Sequence, residues 1–433
     1  MKAKQLSHAV ARPRVFVSAW VLYAGYYACR KDLGRSAGTH APISHLALAL
    51  VWFSIAYAIG QLAGGTLADR YGARRTAVAG AAISILSTLL LGHFSQGVPV
   101  LLLQLLNGFG QGFGWPSLLK LMGTWFRAGE RKRVLGWWST SYILGGLVAT
   151  SLTVWLRSHA SLPLHDNEGV IRSLANLQSP YLVSSVLLVC ATIYFFFRTE
   201  HLPETPPRTE SPSANVTQQS DWKSVLQSRD IQIIASMYFF LKMTRYTLLF
   251  WLPLYLVSSL DYSSFGAEHT ASYFELFGFL GPLAVGYAPA RWFARRSMAL
   301  GASMLFALAF ICLLHPVLAG SGWLGMVISI SLMGLLIHGA DLLMSGMAVL
   351  DAVPEVVHGR ATGFVNAVGS IGQALSPLLI TLFVSREGWA DLFDLFVFLA
   401  LVSGSICLVG AHLNAPDEPQ ANRSVLGSIE VPL

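Results

Sequence analysis

Stretches of about 20 apolar residues recur from one end of this chain to the other, separated by short polar loops. VFVSAWVLYAGYYAC, TAVAGAAISILSTLLLG, YLVSSVLLVCATIYFFF and LFVFLALVSGSICLVG are four of them. As a helix, each is long enough to cross a bilayer core of about 30 Å. Within hydrocarbon the backbone must satisfy its own hydrogen bonds, and the helix does so within a single segment. Composition agrees: 54% of the 433 residues are hydrophobic and 12% are charged, about half the charged fraction of a soluble domain. The chain is predicted to be an all-α, polytopic membrane protein. Met1 to Arg14 reads as a short basic leader running into the first span without a cleavage pattern.

A formal net charge of +7 would suggest nucleic acid in a soluble chain. Its distribution argues otherwise. With both termini cytoplasmic, the inner loops and tails hold about twenty of the 29 Lys and Arg, and the outer loops about four. Such asymmetry orients a membrane protein, so no nucleic-acid partner is expected. The four cysteines (Cys29, Cys190, Cys312 and Cys407) lie in apolar segments without metal spacing and read as buried packing residues. No Walker loop, metal cluster or nucleophile pattern is present. No enzyme activity, no catalytic residue, no metal and no cofactor are therefore expected.

About twelve spans are predicted, starting near residues 14, 44, 75, 97, 134 and 179, and then near 229, 268, 298, 322, 358 and 390. This divides the chain into an N-terminal six-helix half (1–199), a Pro-, Ser- and Thr-rich cytoplasmic linker (200–228), a C-terminal half (229–413) and a cytoplasmic tail (414–433). Six plus six is the layout of transporters whose substrate site lies near the midplane, between repeated halves. The loop joining spans two and three reads Gly65-Thr-Leu-Ala-Asp69-Arg70-Tyr-Gly72-Ala-Arg74-Arg75. It resembles the G-x-L-A-D-R-x-G-R-K motif of the major facilitator superfamily, which implies that superfamily's twelve-helix fold. The glycines permit a tight turn and close helix approach. Asp69 with a basic neighbour such as Arg70 could form a latch that one conformation keeps and the other breaks.

The remaining basic residues do not belong to loops: Arg30, Lys31, Lys120, Lys242 and Arg245. A cation in hydrocarbon costs several kcal/mol unless protein or water surrounds it. Arg30 and Arg245 each lie about sixteen residues into the first span of their half. In two repeats related by an axis along the membrane normal, that depth places them across a central cavity from each other. Guanidinium groups stay charged and offer paired donors suited to phosphate oxygens. The competing reading has either arginine paired with Glu275 or Asp341. Lys242 and Asp341 could form a mutual salt bridge, His338 reads as a satisfied core histidine, and Lys120 as a snorkelling side chain.

Together these strings resemble the organophosphate:phosphate antiporter family over nearly the whole chain. YYACRK is similar to that family's first-span Y-Y-x-x-R-K, and MTRYTLLFW to its seventh-span stretch. The resemblance implies Arg30 and Arg245 as the substrate arginines, with Tyr23 and Tyr27 beside them. Gly110-Gln-Gly-Phe-Gly-Trp115-Pro116 matches its fourth-span signature, and GRATGFVNAVGSIG its eleventh-span glycine spacing. In the fifth span Trp138 is kept, but Tyr142 stands where the family has a histidine. Phe250 replaces a seventh-span acid, so Lys31 is left to pair with Glu275. Lys242 and Asp341 are additional charges. Asp341 could pair with Lys242, take a proton, or meet a positive group on a zwitterionic substrate such as an aminoalkyl phosphonate. The implied function is an inner-membrane antiporter exchanging inorganic phosphate for a small organophosphate or phosphonate, as a monomer in the bilayer. A proton-coupled symporter of an organic anion and a sugar-phosphate sensor are the alternatives.

Overall fold

The computed structural model describes residues 2–30, 43–94, 97–159, 180–199, 222–288, 297–383 and 389–413. Lys31, linker residues 200–221 and the tail from 414 lie outside the described residues. Twelve spans are present among them. In the first half these are Lys2–Arg30, Ile43–Tyr71, Ala73–Leu91, a fourth split into Val98–Gly112 and Gly114–Trp125, then Ala128–His159 and Pro180–Thr199. The second half has Arg229–Leu260, an eighth split into Ser264–Gly278 and Leu280–Tyr287, and Ser297–Gly320. The tenth runs from Trp323–Leu342 through a π-helical stretch, Leu343–Ala348, into Val349–Ala352. His358–Phe383 and Trp389–Leu413 complete the set.

Two boundaries differ from the sequence reading. The first helix begins at Lys2, with Pro13 inside it, rather than near residue 14. Arg12 at this end pairs with Glu130 of span five (3.0 Å). Trp222–Gln227, at the end of the predicted linker, forms a short helix that buries Val225. The splits have a common cause. Pro116 and Pro282 cannot donate to the carbonyls of Gly112 and Gly278, four residues earlier, and the helix gives way between each pair.

Six spans are long and apolar enough to cross a membrane by composition alone: the second, third, sixth, ninth, tenth and twelfth. Within that group the second and tenth are 61% and 72% buried in protein, whereas the others are 39–44% buried, as lipid-facing helices would be. Of the remaining six, the fourth and eighth are divided into shorter helices. The first, fourth, fifth, seventh and eleventh carry polar side chains into a central cavity.

The halves meet along two seams, span two against eleven and span five against eight. Glycines set their closeness. A Cβ at Gly65 would strike the carbonyl oxygen of Gly359, and one at Gly363 that of Gln61. On the other seam, a Cβ at Gly136 would lie 2.9 Å from the carbonyl oxygen of Pro282. Gly72 turns the chain between spans two and three with φ 95°, a left-handed conformation that explains its place in the motif.

Candidate functional site

The cavity lies between the halves, and among the described residues contacts between the halves lie toward both of its ends. At the end bearing the 69–75 loop, Asp69 of span two reaches the start of span eleven. It accepts from the backbone amides of Gly359 (3.0 Å) and Arg360 (2.9 Å) and from Lys120 Nζ (2.6 Å), with Arg360 Nη1 at 3.7 Å. The carboxylate thus sits on the positive end of a helix dipole, and its side chain is 1% exposed. Arg131 of span five adds a pair with Asp351 at the end of span ten (3.5 Å). Two readings are corrected here. Lys120 does not snorkel but completes the latch, and Arg70 is exposed beside Tyr71 and takes no part in it. Of that predicted pair only Asp69 bridges the two halves, because at the end of span two it meets the start of span eleven rather than its own loop. Toward the other end, Gln373 Nε2 donates to Ser54 Oγ (2.9 Å), and Leu50 packs against Phe250.

Between these contacts, every lining residue is at most 9% exposed. Seven of the eight predicted substrate residues line the cavity: Tyr23, Tyr27, Arg30, Tyr142, Lys242, Arg245 and Asp341. Trp138 stands directly behind, its ring 5.0 Å from those of Tyr23 and Trp115. Of the predicted gating pair Lys31–Glu275, Lys31 lies outside the described residues. Glu275 is half-buried on span eight and does not line the cavity. His338 donates through Nδ1 to the carbonyl of Gly334 (2.8 Å) and stacks on Tyr142. Cys190, read as buried, is exposed on the outside of span six, whereas the other three cysteines are buried.

Charge within the cavity is uneven. Arg30 Cζ lies 4.3 Å from the Tyr57 ring centroid and 5.3 Å from that of Tyr246, and its Nε and Nη2 are buried without a hydrogen-bond partner. Arg245 Cζ lies 5.2 Å from Tyr142 and 5.6 Å from the same Tyr246. Its Nη1 pairs with Asp341 Oδ2 at 2.8 Å, while its Nε is unpartnered. Asp341 Oδ1 accepts from the Tyr238 hydroxyl (2.6 Å). Lys242 forms no ion pair with Asp341. Its Nζ donates instead to Ser370 Oγ (2.9 Å) and the carbonyl of Asn366 (3.4 Å). Of the two pairings the sequence left open for Asp341, the structure has the one with Arg245 and not the one with Lys242. Three cations against one carboxylate leave a formal surplus of two positive charges among the lining side chains.

The unmatched polar atoms of the lining are donors: the Arg30 and Arg245 nitrogens, Trp115 Nε1 and the Tyr142 hydroxyl. An enclosed surplus of charge and donors fits an anion rich in acceptor oxygens. Tyr57, Trp115, Tyr238, Tyr246 and Asn366 were not among the predicted site residues. Tyr238 had a sequence signal, since Tyr238, Lys242 and Arg245 follow helical spacing on one face. Tyr57 had none. Among the described residues, no group of three or more His, Cys, Asp or Glu side chains is placed to hold a metal ion.

Twelve helices in two halves around one buried, charged cavity define a membrane transporter, and comparison with known proteins agrees. The Major Facilitator Superfamily profile matches residues 15–340, and the chain belongs to that superfamily, whose members are transporters and not enzymes. Its relatives fall in the branch that its motifs resemble. It is 26% identical over 412 residues to the mouse glucose-6-phosphate exchanger SLC37A2, covering 83% of this chain and 77% of that one. It is 24% identical to the Bacillus subtilis glycerol-3-phosphate transporter (92% and 90% covered) and to the membrane sensor protein UhpC of Salmonella typhimurium (94% and 93%). In fold it is similar to the Escherichia coli fucose:proton symporter FucP, with a TM-score of 0.70 at 13% identity over 95% of this chain and 100% of that one.

Proposed function

We propose that this transporter exchanges inorganic phosphate for a small organophosphate or phosphonate by alternating access, with the anion held between Arg30 and Arg245. The observation that carries this reading is the Arg30 guanidinium, buried with two nitrogens unpartnered in a cavity of net positive charge. An unpaired buried cation costs several kcal/mol, and a dianion with three acceptor oxygens would offset that cost at both arginines. The bound anion neutralises the surplus, draws the halves together and lowers the barrier to reorientation. Either anion serves, so exchange is favoured over net flow. The named activities of the mouse and Bacillus relatives support the substrate class. The loop asymmetry supports an inner-membrane location with both termini cytoplasmic.

Phosphate self-exchange in vesicles reconstituted with the purified protein tests the reading. Phosphate loaded inside should be released by external phosphate, with or without a proton gradient. Arg30→Lys and Arg245→Lys should each lose at least about tenfold in rate, because lysine keeps the charge but not the two-pronged contact. Exchange that needs a proton gradient would favour symport instead, with Asp341 as its titrating acid. Phosphate binding without exchange would favour a sensor. Near-normal exchange in both lysine variants would refute the clamp.

A further inference from the structure

We propose that Asp341 is a built-in competitor of the substrate anion for Arg245, and that Lys242 is the cation to which it is handed when the anion binds. The inference rests on the phosphate reading above and assigns roles to the two charges by which this chain departs from the family it resembles. Arg245 and Asp341 are joined across spans seven and ten at 2.8 Å, with side chains 5% and 3% exposed. An anion arriving at Arg245 therefore meets a resident carboxylate. It must either displace Asp341 from Nη1 or take the unpartnered Nε and share the guanidinium with it. In both cases two negative groups are brought together where little water screens them.

The receiving cation is one helical turn away. Lys242 lies three residues before Arg245 and four after Tyr238, so all three project from one face of span seven. Its Nζ holds only neutral acceptors, Ser370 Oγ and the Asn366 carbonyl. Tyr238 already joins the two groups: its hydroxyl is on Asp341, and its ring centroid is 5.4 Å from Lys242 Nζ. Swinging the carboxylate from Arg245 to Lys242 keeps it paired and frees Arg245 for the anion. The arrangement trades affinity for release. Without Asp341, three buried cations would hold a dianion too tightly to exchange it quickly.

Equilibrium binding of inorganic phosphate to the purified full-length protein is the test, read together with vesicle exchange. Asp341→Asn should bind phosphate about tenfold or more tightly, the span of one charged hydrogen bond, and exchange it more slowly. Lys242→Met should bind about tenfold more weakly, since the displaced carboxylate is stranded. The double variant Asp341→Asn/Lys242→Met should bind at least as well as the wild type. Unchanged or weaker binding by Asp341→Asn overturns the competition. A double variant as weak as Lys242→Met means that lysine touches the anion directly, which overturns the handover. A measurement on the wild type is independent of how any variant folds. Phosphate should perturb the carboxylate band in the infrared difference spectrum, and a flat band refutes the proposal. A wild type that neither binds nor exchanges phosphate rejects the underlying phosphate reading, whereas the variant results reject this inference alone.

Discussion

At the scale of single residues, Tyr246 is the contact that joins the two arginines. Both guanidinium carbons lie within 5.6 Å of its ring centroid, one from each half of the molecule. A ring face stabilises a buried cation by about 2 kcal/mol. Tyr246→Leu should therefore lower phosphate exchange by about tenfold or more, while Tyr246→Phe, which keeps the ring, should retain most of it. Equal loss in both would mean that the hydroxyl, not the ring, is the functional part. Sequence reading reached Arg30 and Arg245 because an arginine in an apolar span is costly and its depth can be counted. It did not reach Tyr246 or Tyr57, since a tyrosine in a span is unremarkable until the opposing helix is in place. It left the partner of Asp341 open between an arginine, Lys242 and the substrate. Lys242 and Arg245 share one helix face, and the axial register of span ten against seven, which no local pattern encodes, decides which of them the carboxylate meets.

At the scale of elements, apolar length alone defines six of the twelve spans, the polar ones were legible from their place between loops, and the splits at Phe113 and Phe279 follow from a proline three residues on. The latch was legible only in part: Asp69 stood out in its motif, but two of its partners are backbone amides, which carry no residue identity, and Lys120 lies on another span. That makes its sensitivity to mutation uneven. Asp69→Asn should weaken a contact worth about 1–3 kcal/mol and shift the molecule toward the form open at that end. A single cysteine replacing the buried Leu350, in a cysteine-free background, should then react severalfold faster with a thiol reagent. Gly359→Ala should do the same, since its Cβ would lie 2.6 Å from Asp69 Oδ1. Arg360→Ala, which keeps the donating amide, should have little effect. Labelling that does not respond to Asp69→Asn would show that another contact holds this end shut.

At the scale of the whole molecule, the distribution of basic residues predicts an orientation that can be measured. Single cysteines in the 200–221 segment should resist impermeant thiol reagents in intact cells. Labelling there as strong as in the loop after Arg157 would invert the topology. The uneven apolarity of the spans bears on how such a chain is made. By length and composition helices two, three, six, nine, ten and twelve suit lipid, although ten carries Asp341, whereas span seven carries both Lys242 and Arg245, each costing about 2.5–3.5 kcal/mol near mid-membrane. Its counter-charge, Asp341, and its hydrogen-bond partners, Asn366 and Ser370, are synthesised about a hundred residues later. Span seven is therefore predicted to wait, held by the insertion machinery or by the finished N-terminal half, until spans ten and eleven emerge. The residues proposed to move the anion are thus the ones predicted to keep the second half from being inserted one helix at a time.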